Sequence, residues 1–89
     1  MAVSDLNAEV RKDLSMFDSR IEKMHADFIK FQREEIYRMP DWEGLGRELL
    51  NFSKKRILDR KLSNEMDRLL FKFQNRKKIW MKWLEDRRG

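Results

Sequence analysis

Seven apolar residues in the first half of the chain, Val10, Leu14, Phe17, Ile21, Met24, Phe28 and Phe31, follow one another at spacings of 4, 3, 4, 3, 4 and 3. Only a helix brings such positions onto one narrow face, and an average spacing of 3.5 residues is the seam of a coiled coil or bundle helix. Leu14, Ile21 and Phe28 take the a positions; Val10, Phe17, Met24 and Phe31 take the d positions. Three phenylalanines are bulky for a tight two-stranded parallel coiled coil, so the seam predicts the wider helix spacing of a bundle. Asn7, one heptad before Leu14, weakens the seam at its start. Ser4 or Asp5 is the expected N-cap, because a short side-chain oxygen can accept from an otherwise unpaired amide. Pro40 disfavours helical geometry at the preceding residue, which predicts a stop near Arg38 or Met39 and a first helix over 5–38.

A second apolar stripe follows. Leu58, Leu62, Met66, Leu69, Phe73, Trp80 and Leu84 fall within an arc of roughly 100° on a helical wheel, with Trp83 at its edge. The stripe runs through Ser63-Asn64 without interruption, which predicts one long helix over 42–86 after a turn at 39–44. A break at Ser63, giving a three-helix bundle, is the alternative. Trp42, Leu45, Leu49 and Phe52 share heptad spacing on a face rotated from the later stripe, and a bend near 53–57 would reconcile the two. Folding the chain back at Pro40 sets Phe31 against Leu49, Phe28 against Phe52, Phe17 near Leu62 and Leu14 near Met66. The expected architecture is therefore all-α, an antiparallel helical hairpin forming a single domain over 1–89. Two apposed helices leave much of each seam open to water, so the hairpin is expected to self-associate into a four-helix bundle.

Composition narrows the class. Apolar residues make up 40% of the chain and charged residues 42%, with three Gly, one Pro and no Cys. Few turn formers argue against all-β and α/β folds, and the lack of Cys removes disulfides, thiolate metal sites and thiol chemistry. The longest apolar runs are Leu69-Leu70-Phe71 and Ile79-Trp80-Met81, too short for a membrane span or a secretory leader; a cytoplasmic location is expected. His25 is the one histidine, neither Glu34 nor Glu35 has a histidine three residues on, and Gly44-Leu45-Gly46 lacks the third glycine and the strand of a phosphate loop. No enzyme, metal site or cofactor is expected.

The charge is uneven. Residues 1–40 carry seven Lys/Arg and eight Asp/Glu, whereas 41–89 carry fourteen and eight, so the whole excess of +5 lies in the second half. Lys54-Lys55-Arg56, Arg60-Lys61 and Arg76-Lys77-Lys78 could neutralise phosphates, but interspersed acids blunt the field, so nucleic acid is not the favoured partner. In the antiparallel hairpin the second helix outruns the first beyond about Lys77. That overhang holds Ile79, Trp80, Met81, Trp83 and Leu84 among Lys77, Lys78 and Lys82, a composition typical of binding hot spots. The expected function is a non-enzymatic interaction or adaptor module that binds itself, another helical protein, or both.

The helix, the central Trp42-Glu43-Gly44 turn and the second helix, within 89 residues, resemble the WXG family of small type VII secretion substrates. Leu50 stands where that family has its following aromatic or apolar residue. The resemblance implies a secreted helical hairpin without a signal peptide. The chain departs from that family in its basic charge and in lacking a C-terminal Tyr-x-x-x-Asp/Glu signal, since its one tyrosine is Tyr37.

The seam generates the first prediction. Phe17→Ala and Phe28→Ala should each destabilise the fold by about 3–5 kcal/mol, whereas Lys12→Ala on the polar side should cost under about 0.5 kcal/mol. Similar denaturation midpoints for all three variants would contradict the seam.

Overall fold

A computed structural model describes residues 3–88, with side chains described from Leu6 to Arg87. The protein is all-helical: α1 spans Val3–Gln32, α2 Trp42–Ser53 and α3 Arg60–Arg88. The expected cap side chains Ser4 and Asp5 lie outside those described. Two expectations are corrected at once. The first helix stops at Gln32 rather than near Arg38, and the region expected as one helix over 42–86 is divided at residues 54–59, not at Ser63.

The early stop of α1 has a local cause. Glu34 adopts the left-handed conformation, with φ 63°. Its N–H donates to the Phe31 carbonyl at 3.1 Å, and the Glu35 N–H donates to the Lys30 carbonyl at 2.9 Å. This pair of bonds is the Schellman motif, which satisfies carbonyls that a helix end would leave unpaired. The motif usually employs glycine, so a glutamate at this position gives no sequence signal. Segment 33–41 then crosses the top of the bundle with Pro40 buried and Tyr37 92% exposed.

The other two helices start at aspartates. The Asp41 carboxylate accepts from the Gly44 N–H at 3.0 Å, and the Asp59 carboxylate accepts from the Leu62 N–H at 3.0 Å. Each satisfies an amide of a first helical turn. A Cβ at Gly44 would push against the Asp41 carboxylate, so any larger residue there would displace the capping group. Asp59 as the cap of α3 explains why Ser63-Asn64 lies inside the helix instead of at its start.

Two reversals make α3 run parallel to α1. Partners across these helices keep a nearly constant separation along the chain: Lys72 with Asp18, Trp80 with His25 and Arg87 with Phe31 lie 54, 55 and 56 residues apart. α2 runs antiparallel to both. Phe52 stacks on Phe17 with ring centroids 5.0 Å apart, Glu48 pairs with Arg20, and Gly46 lies under Phe73. A Cβ at Gly46 would come within 3.2 Å of the Phe73 ring, so glycine sets how closely α2 approaches α3. The fold-back pairs Phe31 with Leu49, Phe28 with Phe52 and Phe17 with Leu62 are thereby corrected. The two rotated stripes of the second half belong to separate helices that face one core from different sides.

That core contains Val10, Leu14, Phe17, Ile21 and Phe28 of α1, Leu45 and Leu49 of α2, and Leu62, Met66, Leu69, Phe73 and Trp80 of α3. Met24 is half-buried against it and Phe31 is half-buried under Arg87, whereas Leu58 is 77% exposed in the link and leaves the seam. At 1.5 Å per residue α2 is about 18 Å long, less than half of its neighbours. The molecule is accordingly a thin rod, 53 × 19 × 17 Å.

A left-handed glutamate costs roughly 1 kcal/mol relative to glycine. Glu34→Gly should therefore raise stability by about 0.5–1 kcal/mol, and Glu34→Val should lower it. Unchanged thermal midpoints for both would mean that residue 34 does not terminate α1.

Candidate functional site: the open groove between α2 and α3

The C-terminal segment expected to overhang has an intrachain partner. Because α3 is parallel to α1 and nearly in register, residues 77–87 lie against the last turns of α1. Trp80 is fully buried: it stacks on Phe28 with centroids 4.9 Å apart and planes 10° from parallel, and meets Phe73 edge-on at 6.0 Å. Met81, Trp83 and Leu84 are half-buried against the same core, and Ile79 is 40% exposed. Lys77 lies 5.2 Å from the centre of the Trp42 ring, while Lys78 and Lys82 are exposed. Trp80 is thus a core residue and Trp83 and Leu84 pack beside it, so the segment is no free overhang, although Lys78, Ile79 and Lys82 remain exposed on its outer side. The antiparallel pairing that implied an overhang is the source of the error.

His25 has a defined structural task. Its Nδ1 accepts the indole N–H of buried Trp80 at 3.1 Å, and its ring lies 5.5 Å from that of Trp83. An indole N–H in a core needs an acceptor, and among the common side chains here the neutral imidazole supplies one at the right height. Desolvation pushes the His25 pKa below its ordinary value, the nearby Arg76 lowers it further, and Glu22 opposes them. The residue offers no sequence pattern, because its partner is 55 positions away.

The charges that made the second half basic are partly consumed inside the fold. Lys72 bonds Asp18 at 2.7 Å and reaches Glu22 at 3.5 Å, and Arg76 reaches Glu22 at 3.0 Å. Arg20 forms a two-pronged pair with Glu48 at 2.6 and 3.1 Å, which lowers the Glu48 pKa and raises that of Arg20. Arg76-Lys77-Lys78 is consequently split three ways: toward Glu22, over Trp42 and into solvent. Lys54, Lys55, Arg56, Arg60 and Lys61 remain exposed along the α2–α3 link. Among the described residues no group of three or more His, Cys, Asp or Glu is placed to hold a metal ion, and no helix is long and apolar enough to cross a membrane.

What the fold leaves open is an apolar groove of about 360 Å³ between α2 and α3, floored by Leu49, Leu70 and Phe73 and walled by Trp42, Gly46 and Leu50. Leu50 is 58% exposed at its edge, and Phe71 is 70% exposed on the adjoining face of α3. A larger hollow of about 420 Å³ lies between α1 and α3 on the side away from α2. Its walls are Arg11, Asp18, Glu65, Arg68 and Lys72 arching over Leu14 and Leu69, so charged side chains already cover that apolar floor. The α2–α3 groove is bordered in turn by Glu43, Arg47, Gln74 and Lys77, with Lys77 over the Trp42 ring, and Leu50 projects into solvent at its edge. The sequence shows Leu50 and Phe71 but not that Leu50 edges the groove while Phe71 stands on the outer face of α3.

The desolvation of His25 beside Trp80, reinforced by Arg76, makes stability depend on pH. With its folded pKa lowered, His25 binds fewer protons in the folded than in the unfolded state, so its contribution is complete above the unfolded value of about 6.5 and is lost as pH falls through the folded value. The thermal midpoint should drop between about pH 7 and pH 5, and His25→Gln, which keeps an acceptor, should flatten that window. An identical pH profile in the variant would exclude His25 as the cause. No family model matches the chain, and no curated protein or solved structure matches it either.

Proposed function

We propose that this chain is a non-enzymatic helical interaction module that acts by self-association through the α2–α3 side of its bundle. The observation that carries this reading is the pair of exposed apolar side chains on this side of the bundle, Leu50 at the edge of the α2–α3 groove and Phe71 on the outward face of α3. Burial of each of these side chains is worth about 1.5–3 kcal/mol, and a charged helix face that needed only solubility would not contain them. A second copy is the partner of choice because both the groove and the exposed phenylalanine occur on every molecule.

Two other readings are weaker on specific grounds. A phosphate-binding role would draw on the basic residues of the second half, yet Lys72 and Arg76 are occupied by α1 carboxylates. A secreted hairpin of the WXG type rests on Trp42-Glu43-Gly44, where Gly44 already has a local role in the Asp41 cap. Detection of the chain in the culture medium of its source, lost on Trp42→Ala or Gly44→Ala but not on Leu50→Ala, would favour that export reading.

Sedimentation equilibrium across the micromolar range should give a species of twice the 11.0 kDa chain mass. A monomer with full helicity throughout that range would overturn the proposal.

A further inference from the structure

The outward face of α3 carries a stripe that the bundle does not use. Arg60, Asn64, Asp67, Phe71, Gln74, Lys78, Met81 and Glu85 alternate at spacings of 4 and 3, so they form one line along the helix. All are exposed except half-buried Met81. The stripe borders the α2–α3 groove, since Gln74 lines it, and Gln74, Lys78, Met81 and Glu85 continue into a shallow hollow of about 640 Å³. Arg60, Asp67, Lys78 and Glu85 make no ion pair with another described residue. They do not pair within one chain: on a rigid helix the nearest opposite charges, Arg60 with Asp67 and Lys78 with Glu85, are about 10 Å apart along the axis.

The order of these charges is antisymmetric about the middle of the stripe, between Lys72 and Phe73. Reversed, the stripe sets Arg60 against Glu85 and Asp67 against Lys78, with Phe71 against Gln74 and Asn64 against Met81. We infer that two copies dock through α3 in antiparallel register about a two-fold axis near residues 72–73, so that each Asp67 meets Lys78 of the partner subunit and each Arg60 meets Glu85 of the partner subunit. Each Phe71 then lies over Gln74 of the partner subunit, at the mouth of the partner's α2–α3 groove. The two-fold axis makes every contact occur twice. A parallel, in-register pairing would oppose Arg60 to Arg60, Asp67 to Asp67, Lys78 to Lys78 and Glu85 to Glu85, which repel. The same four residues therefore favour one orientation and oppose the other. The inference rests on the self-association proposed above and adds the surface, the orientation and the pairing.

Charge exchange tests it without disturbing the core, because all the residues changed are exposed. Asp67→Lys and Lys78→Asp, measured separately by sedimentation equilibrium at low salt, should each weaken dimerisation by about tenfold or more. An equimolar mixture of the two variants should recover a dimer, since the introduced charges then face opposite partners, and the double variant Asp67→Lys/Lys78→Asp should self-associate like the unaltered chain. Phe71→Ser should lose the dimer and keep the helical circular dichroism. If both single variants dimerise as tightly as the unaltered chain, the α3 register is overturned while self-association through another surface stands. If the unaltered chain is itself monomeric, self-association fails, and the register fails with it.

Discussion

The contact on which the rest of this fold depends is the burial of Trp80 between α1 and α3. The indole stacks on Phe28, meets the edge of Phe73 and donates to His25. Its ring can be desolvated only because the N–H has that acceptor, and it can reach Phe28 only if α3 runs parallel to α1. Helix direction, register and the role of the lone histidine are thus one arrangement. In an antiparallel hairpin of two long helices Trp80 would project past the end of α1 with nothing to cover it.

Direction is set by two interruptions that lack conspicuous sequence marks. α1 is closed by a left-handed glutamate in a Schellman motif, and α3 is opened by a capping aspartate after a six-residue link. Between them α2 is short, because Asp41 starts it late and the link must leave enough chain to return to the level at which α1 begins. A short α2 covers only part of the α1–α3 pair. The α2–α3 groove runs along this short helix, with Leu50 exposed at its margin.

The charged residues divide into two populations that composition alone merges. One set crosses between helices: Asp18 and Glu22 with Lys72 and Arg76, and Arg20 with Glu48. These pairs are partly exposed and screened by solvent, yet they fit only one register and so disfavour slipped alternatives. The other set points outward along α3, in an order that is opposite in sign on its two halves. A net charge of +5 describes neither population.

Periodicity alone determined that the chain is helical and which face of each segment turns inward. Val10, Leu14, Phe17, Ile21 and Phe28 are buried, as are Leu62, Met66, Leu69 and Phe73, because a helix presents residues three and four apart on one side whatever it packs against. The rotation between the stripe of Leu45 and Leu49 and the later stripe was also legible, as was the break implied by Pro40. Tertiary structure decided which helix each face would meet. A helical face is nearly the same whether its neighbour runs up or down, so spacing could not distinguish the parallel α1–α3 pair from an antiparallel hairpin. Glu34 and Asp59 carry the reversals, the first through a left-handed backbone found at no other non-glycine residue among those described, the second through a side-chain cap like that of Asp41. The exposure of Leu50 and Phe71, and the burial of Trp80, are consequences of that choice of direction.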